Sequence, residues 1–405
     1  MTEPSSTLAE PATPREKRQL ANDLHASTVA AGLVSVLIGY ASSAAIIFQA
    51  AQAAAIPPSQ IGSWMWALGI GMGLTTLGLS WRYRMPLLTA WSTPGAALLV
   101  TQLPGVAFDQ AVGAFIVASV CMLLVAASGV VTRIMAIVPA ALASAMLAGI
   151  LLPFVLDIFA TVRVDPWMPL LLLSVWILCR RWLPRLAIIT VLMAGIAISL
   201  ARGDFQVAQV SLMLTRPEWV SPAFDLATCL GIGVPLFAVA LTTQHLPGLA
   251  MVRSAGYSPP VGACLGTTGL ASLLMAPFAG HGINMAAISA APCLGEEAHL
   301  DPHRRYTAGV AAGIGYLVLG TLGATVAALF AALPEGLIAV VAGLALMATL
   351  GGAMTTAFSD ARHLDAALVT FAVTASPLTL AGIGSAFWGL IAGLVIVALG
   401  AWRRA

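Results

Sequence analysis

The 405-residue chain is 60% hydrophobic and only 8% charged, with a formal net charge of +2 and a mean hydropathy of +0.96. A soluble fold of this length needs far more charge to cover its surface, so the chain reads as an all-α polytopic membrane protein. The net charge by itself says little about partners, and no nucleic-acid partner is expected.

Residues 1–26 mix acids, bases and prolines without an apolar core, which marks a cytoplasmic N-terminal tail and leaves the first span as the targeting signal. Apolar runs, each able to cross a hydrocarbon core of ~30 Å, then recur to the C-terminus. Cut at charges and at Pro/Gly breaks, they give fourteen membrane segments, over about 27–54, 61–80, 86–102, 109–131, 139–159, 166–181, 184–201, 225–247, 260–275, 277–293, 306–331, 336–354, 364–380 and 383–401. The five cysteines, Cys121, Cys179, Cys229, Cys264 and Cys293, lie mostly inside these runs without C-x-x-C spacing, as small buried hydrophobes and not as a disulfide or metal framework.

Arginine and lysine favour the cytoplasmic side of a membrane. With the N-terminus inside, that side receives Arg15, Lys17, Arg18, Arg82, Arg84, Arg133, Arg180, Arg181, Arg185, Arg253, Arg304, Arg305, Arg362, Arg403 and Arg404, and the other only Arg163, Arg202 and Arg216. Both termini are therefore expected in the cytoplasm. The polar interval 202–222 divides the segments seven and seven. An odd number per half inserts the second half upside down, the inverted-repeat arrangement of many secondary transporters.

Segments 3 and 10 are too polar and interrupted to be plain helices. In "PLLTAWSTPGAALL" Ser92 or Thr93 can cap a helix, Pro94 suits its first turn, and apolar residues come after, so a half-helix begins near mid-membrane after an extended stretch. "PFAGHGINMAAISAA" fits the same description, with Asn284 as the cap. Each segment is predicted as a short strand plus a half-helix. Two such helix starts facing each other would gather free N–H groups and positive dipole ends, a setting that suits an anion.

The mid-depth polar inventory is small: Tyr40, Ser42 and Ser43 on segment 1, Thr242, Thr243, Gln244 and His245 on segment 8, and His281 in the second break. Polar groups at this depth are functional candidates by default. Asp109, Asp157, Glu335, Asp360 and Asp365 all fall near span ends, and the lack of a deep carboxylate favours an anionic cargo. "EEAHLDPHRR" has no regular metal-ligand spacing and reads as a solvated cytoplasmic loop. Trp64, Trp66, Trp81, Trp167, Trp182 and Trp402 are expected near span ends as interfacial anchors, whereas Trp91 occupies the break itself and offers a flat aromatic wall.

"GYASSAAIIFQAAQAA" (39–54), "TAWSTPGAALL" (89–99) and "GHGINMAAISAAPCLGEEAHLDPHRRY" (280–306) resemble the bacterial benzoate/proton symporter family. The resemblance implies a multi-pass carrier of the bacterial inner membrane that imports benzoate or a related aromatic carboxylate with protons, without cofactor or metal. That family is similar in turn to the uracil permease fold of two inverted seven-span repeats. By that likeness 27–131 and 225–331 (spans 1–4 and 8–11) form a core domain, and 139–201 and 336–402 (spans 5–7 and 12–14) a gate domain. Gln244 stands where uracil permeases carry an acid on span 8, which makes sense for a carboxylate cargo. The expected binding set is Tyr40, Trp91, Ser92, Thr93, Gly95, Gln244, His281, Gly282 and Asn284, with His245 and His281 as proton-coupling candidates. An inorganic-anion or nucleobase carrier on the same fold is the alternative. An intramembrane enzyme is a remote one, since no paired-acid or zinc motif is present. Monomer and homodimer both stay open.

Overall fold

The computed structural model describes residues 23–129, 139–184, 186–206 and 210–402. Most of the N-terminal tail, together with Arg133, Arg185, Arg403 and Arg404, lies outside the described residues.

The chain is a mostly helical, polytopic membrane protein. The first half runs α1 (Ala26–Ala53), α2 (Pro58–Tyr83), β1 (Thr89–Trp91), α3 (Thr93–Gln102), α4 (Phe108–Ser128), α5 (Ala140–Thr161), α6 (Trp167–Trp182) and α7 (Ala187–Arg202). The second half runs α8 (Leu226–Ser254), α9 (Val261–Met275), β2 (Ile283–Met285), α10 (Ala291–Leu294), α11 (Tyr306–Thr321), α12 (Gly323–Ala331) and α13 (Glu335–Phe358), then α14 (Leu364–Ala375), β3 (Thr379–Leu380), β4 (Ile383–Gly384) and α15 (Ser385–Trp402). Among the described residues six helices are long and apolar enough to cross a membrane, or seven when α11 and α12, bent by 65° at Leu322, count as one span.

Local chemistry sets the ends. Pro58 opens α2 in the first turn, where a missing N–H costs nothing, and Gly129 and Gly203 close α4 and α7. Arg202 at the end of α7 pairs with Asp165 ahead of α6 and holds that carboxyl below the usual carboxylate range. Segment 8 is longer than expected, continuing to Ser254 as α8, and it carries wide π turns at Cys229–Gly233 and Ala240–His245. Pro235 and Pro247 each come two residues after one of them. Their missing N–H groups break the regular ladder, and the wider turn takes up the slack.

Packing uses small residues, as expected where lipid and side chain are equally apolar. The α2 and α11 helices touch backbone to backbone, since a Cβ on Gly69 would lie 2.4 Å from the Gly320 Cα. On the other side of the molecule α5 packs on α13, where a Cβ on Gly343 would lie 2.4 Å from the Phe154 carbonyl oxygen. The two breaks meet between these groups: β1 pairs antiparallel with β2, Thr89 opposite Met285, Ala90 opposite Asn284 and Trp91 opposite Ile283.

The second break corrects one expectation. Asn284 caps no helix, because it is the middle residue of β2. Beyond β2 the chain makes a 3₁₀ turn at Ile288–Ala290 and the single turn of α10, ended by Gly295 in extended conformation. Pro292 restricts the turn before it and Gly295 ends it, so no helix comparable to the ten-residue α3 can form there.

Candidate functional site

The first break is fixed by its own neighbours. The Thr89 amide donates to Thr76 Oγ1 (2.9 Å), and the Thr89 hydroxyl meets those of Thr75 and Thr76 at 2.7 and 2.8 Å. These bonds satisfy buried polar groups along one side of β1, and β2 satisfies the other. Ser92 is fully buried and caps α3 by accepting the Gly95 amide at 2.9 Å. Pro94 has no N–H, so the first turn of α3 presents one backbone donor without an intrahelical partner, that of Thr93. A Cβ on Gly95 would lie 2.7 Å from both Ser92 Oγ and Leu236 Cδ1, so a side chain there would crowd the cap and push the Leu236 side chain of α8 aside.

The second break is fixed locally by one bond, the Ile283 amide donating to Ser272 Oγ of α9 at 2.8 Å, and otherwise across the fold. Trp64 Nε1–H donates to His281 Nδ1 at 3.0 Å, which puts the imidazole proton on Nε2, facing the Ser92 carbonyl at 3.2 Å. Both ring nitrogens of His281 are thus engaged, and the ring ties α2, the second break and the start of α3 together. Trp64, expected as an interfacial anchor, is fully buried because its N–H serves this tie. Gly282 comes next at φ +152°, a backbone region that side-chain-bearing residues rarely adopt. The Met285 amide points at His245 Nδ1 (3.4 Å), while His245 Nε2 and Asn284 Nδ2 are buried without a partner in hydrogen-bond geometry.

A cavity of about 420 Å³ lies against these breaks. The first break contributes Ala90, Trp91, Thr93 and Pro94 to its wall, and the second Ala287, Ser289, Ala291 and Pro292. The π turn of α8 turns Thr243 and Gln244 toward it, and α1 adds Ser43, which accepts the Trp91 indole N–H at 2.6 Å. Leu344–Thr349 of α13 closes the far side, and Trp176 and Arg180 of α6 stand at one end, the guanidinium 4.8 Å from the Trp176 ring centroid. The described wall contains no aspartate or glutamate, and Arg180 is its one charged residue.

Of the residues singled out from sequence, Ser43, Trp91, Thr93, Thr243 and Gln244 line the cavity. Tyr40, Ser92, Gly95, His245, His281, Gly282 and Asn284 stand behind its wall, Tyr40 edge-on to Trp91 at 4.6 Å. Sequence reasoning missed Ser289, Tyr316 and the α6 pair. Ser289 was visible inside "MAAISAA", and Tyr316 as the one aromatic residue in the glycine-rich "GIGYLVLG". The acidic "EEAHLDPHRR" loop is a capped turn: Asp301 accepts the His303 amide, and Arg305 donates to the carbonyls of His299 and Leu294.

This architecture, with paired breaks beside a central cavity, is that of a membrane transporter. It matches the overall structure of SLC26A9 with a TM-score of 0.61 at 13% identity, covering 93% of this chain and, at 66%, just under two thirds of that one. It also matches the transmembrane domain of a cyanobacterium bicarbonate transporter, BicA, with a TM-score of 0.56 at 14% identity, covering 94% of this chain and 98% of that one. The chain belongs to the benzoate membrane transport protein family, whose model matches residues 22–399. It is 47% identical to the inner membrane protein YdcO of Escherichia coli (strain K12), over 90% of this chain and 94% of that one. It is 35% identical to the benzoate membrane transport protein of Acinetobacter baylyi (strain ATCC 33305 / BD413 / ADP1), over 93% of this chain and 96% of that one.

Proposed function

We propose that the protein imports benzoate or a related aromatic carboxylate across the bacterial inner membrane by proton symport. In this reading fourteen segments form two inverted repeats with both termini in the cytoplasm. The cargo crosses by movement of a gate (139–201 and 336–402) against a core (27–131 and 225–331). The carboxylate sits between the Thr93 end of the first break and the Ser289 end of the second, and the ring lies on Trp91 and the apolar side chains of α13, with Gln244 at the edge. Tyr40, Ser92, Gly95, His281, Gly282 and Asn284 hold that wall in shape. His281, with both nitrogens engaged, has no free nitrogen to carry a proton, so we assign coupling to His245, whose Nε2 makes no well-aligned hydrogen bond and whose ring lies within reach of the Asn284 side chain.

One observation carries the reading: residues of both breaks wall a single cavity that is largely apolar, contains an indole face and lacks any acidic side chain. Its volume falls within the ~300–1,000 Å³ usual for small-molecule sites. A wall of this composition suits a flat aromatic anion better than a small hydrated one, which would lose its water to apolar surface. The cavity reaches Arg180, a residue assigned to the cytoplasmic side by the charge distribution, which supports an inward-open state.

The test is uptake of labelled benzoate into proteoliposomes with and without an inward proton gradient. We expect uptake that the gradient accelerates and that unlabelled benzoate, but not sulfate, bicarbonate or uracil, displaces. Absence of uptake under both conditions rejects the reading, and displacement by an inorganic anion favours the alternative cargo.

A further inference from the structure

We propose that Tyr316 of α11 is a specificity-determining contact, its hydroxyl donating a hydrogen bond to the carboxylate of the bound cargo. The inference rests on the aromatic-carboxylate reading above and adds a residue from a span outside both breaks.

Nine buried side chains among the described residues hold a polar atom with no partner in hydrogen-bond geometry, and Tyr316 alone among them lines the cavity. The residue is 1% exposed, so water gives its hydroxyl little relief. The Ser289 side chain lies within reach of the hydroxyl without completing a well-aligned hydrogen bond, and a buried donor so poorly satisfied is relieved by an acceptor that arrives with the ligand. Two other cavity-wall hydroxyls are already committed to backbone acceptors: Ser43 donates to the Gly39 carbonyl and Thr243 to that of Val239.

Space is reserved in front of the hydroxyl. A Cβ on Gly39 of α1 would lie 3.2 Å from the Tyr316 oxygen and 4.0 Å from the Ser289 Cβ, so the missing side chain keeps open the point where the two hydroxyl-bearing residues converge. Gly39, Ser289 and Tyr316 all line the cavity. The Tyr316 ring is held by stacking on Tyr40 at 6.2 Å, and Tyr40 is held in turn by Trp91. The hydroxyl is therefore presented on a stack of rings whose other end is the proposed platform for the cargo. A carboxylate resting beside Ser289 offers acceptor oxygens there, and a phenol donor to an ionised acceptor makes a strong, short bond.

Calorimetric titration of benzoate into the detergent-purified full chain, at fixed pH, tests this. Tyr316→Phe keeps the ring stack and removes only the hydroxyl; its Kd for benzoate is expected to rise about 10- to 100-fold. Its melting temperature without ligand should stay at the wild-type value, while the stabilisation that benzoate confers falls. Gly39→Ala fills the reserved space, keeps the hydroxyl and suits a helix interior, and should weaken binding as well. Benzamide, whose neutral amide gains less from the phenol, should bind the wild type and Tyr316→Phe with a smaller difference than benzoate. A Tyr316→Phe protein that binds benzoate within twofold of wild type overturns the assignment to Tyr316. A wild type that binds no benzoate overturns the cargo reading and this inference with it.

Discussion

The two breaks do the same job by different means. The first is organised locally: a hydroxyl cluster on α2 holds β1, Ser92 caps α3, and α3 runs for ten residues. The second shares that device once, the Ile283 amide donating to Ser272 Oγ of α9 at 2.8 Å, but is otherwise organised at a distance, through Trp64, Ser92 and His245, and its helical part shrinks to a 3₁₀ turn and one α turn. The two breaks thus have matched strand positions but not matched capping, since one half can lean on the other.

Breaking the tie between them should have the largest effect. His281→Leu leaves the Trp64 N–H without its acceptor and lessens the bonding of the Ser92 carbonyl, for a combined loss of about 2–6 kcal/mol that a thermal melt in detergent would register as a strong downward shift. A melt unchanged by this substitution would mean the breaks are independent. Next, Thr93→Asp sets a negative charge where the carboxylate is proposed to sit. Benzoate uptake should fall at least about 100-fold, the cost of like charges in a dry site, with most of the protein still folded. Wild-type transport by that variant would move the cargo away from the first break.

The smallest effects sharpen the contrast. Ser92→Ala should cost about 1 kcal/mol of stability, the usual value of an N-cap, while Ser289→Ala, which caps nothing, should leave the melt near wild type and weaken benzoate binding instead. Parallel melts and titrations on the two alanine variants separate the capping serine from the cargo-facing one. Equal stability losses would show that the second break holds a cap after all.

The first break was legible because everything that makes it is within a few residues: Ser92, Thr93 and Pro94 state a helix start in the only way a local sequence can. The other break has a similar local pattern, and Asn284 reads there as a cap, because the strand partners of residues 283–285 lie some 190 positions earlier and the one local brace, Ser272, is eleven residues back inside an apolar helix. His281 was legible as a polar residue at depth but not as a satisfied one, since Trp64 and Ser92 reach it only in the folded chain. The π turn that carries Thr243 and Gln244 to the cavity left only Pro247 as a trace. Tyr316 sits in an apolar glycine-rich run, where a tyrosine reads as packing until its hydroxyl is seen without a partner.

The strand pairing also constrains how the molecule is made. When the ribosome has delivered the first half, one edge of β1 is already quenched by the threonines of α2, but the other has no mate until β2 emerges, with His281 and Ser92 separated by 189 positions. During that interval the nascent protein carries open amide groups at depth, and they must be sheltered by water or by the insertion machinery. Truncation before residue 283 should therefore leave a fragment that is cleared by quality control, however apolar its helices are.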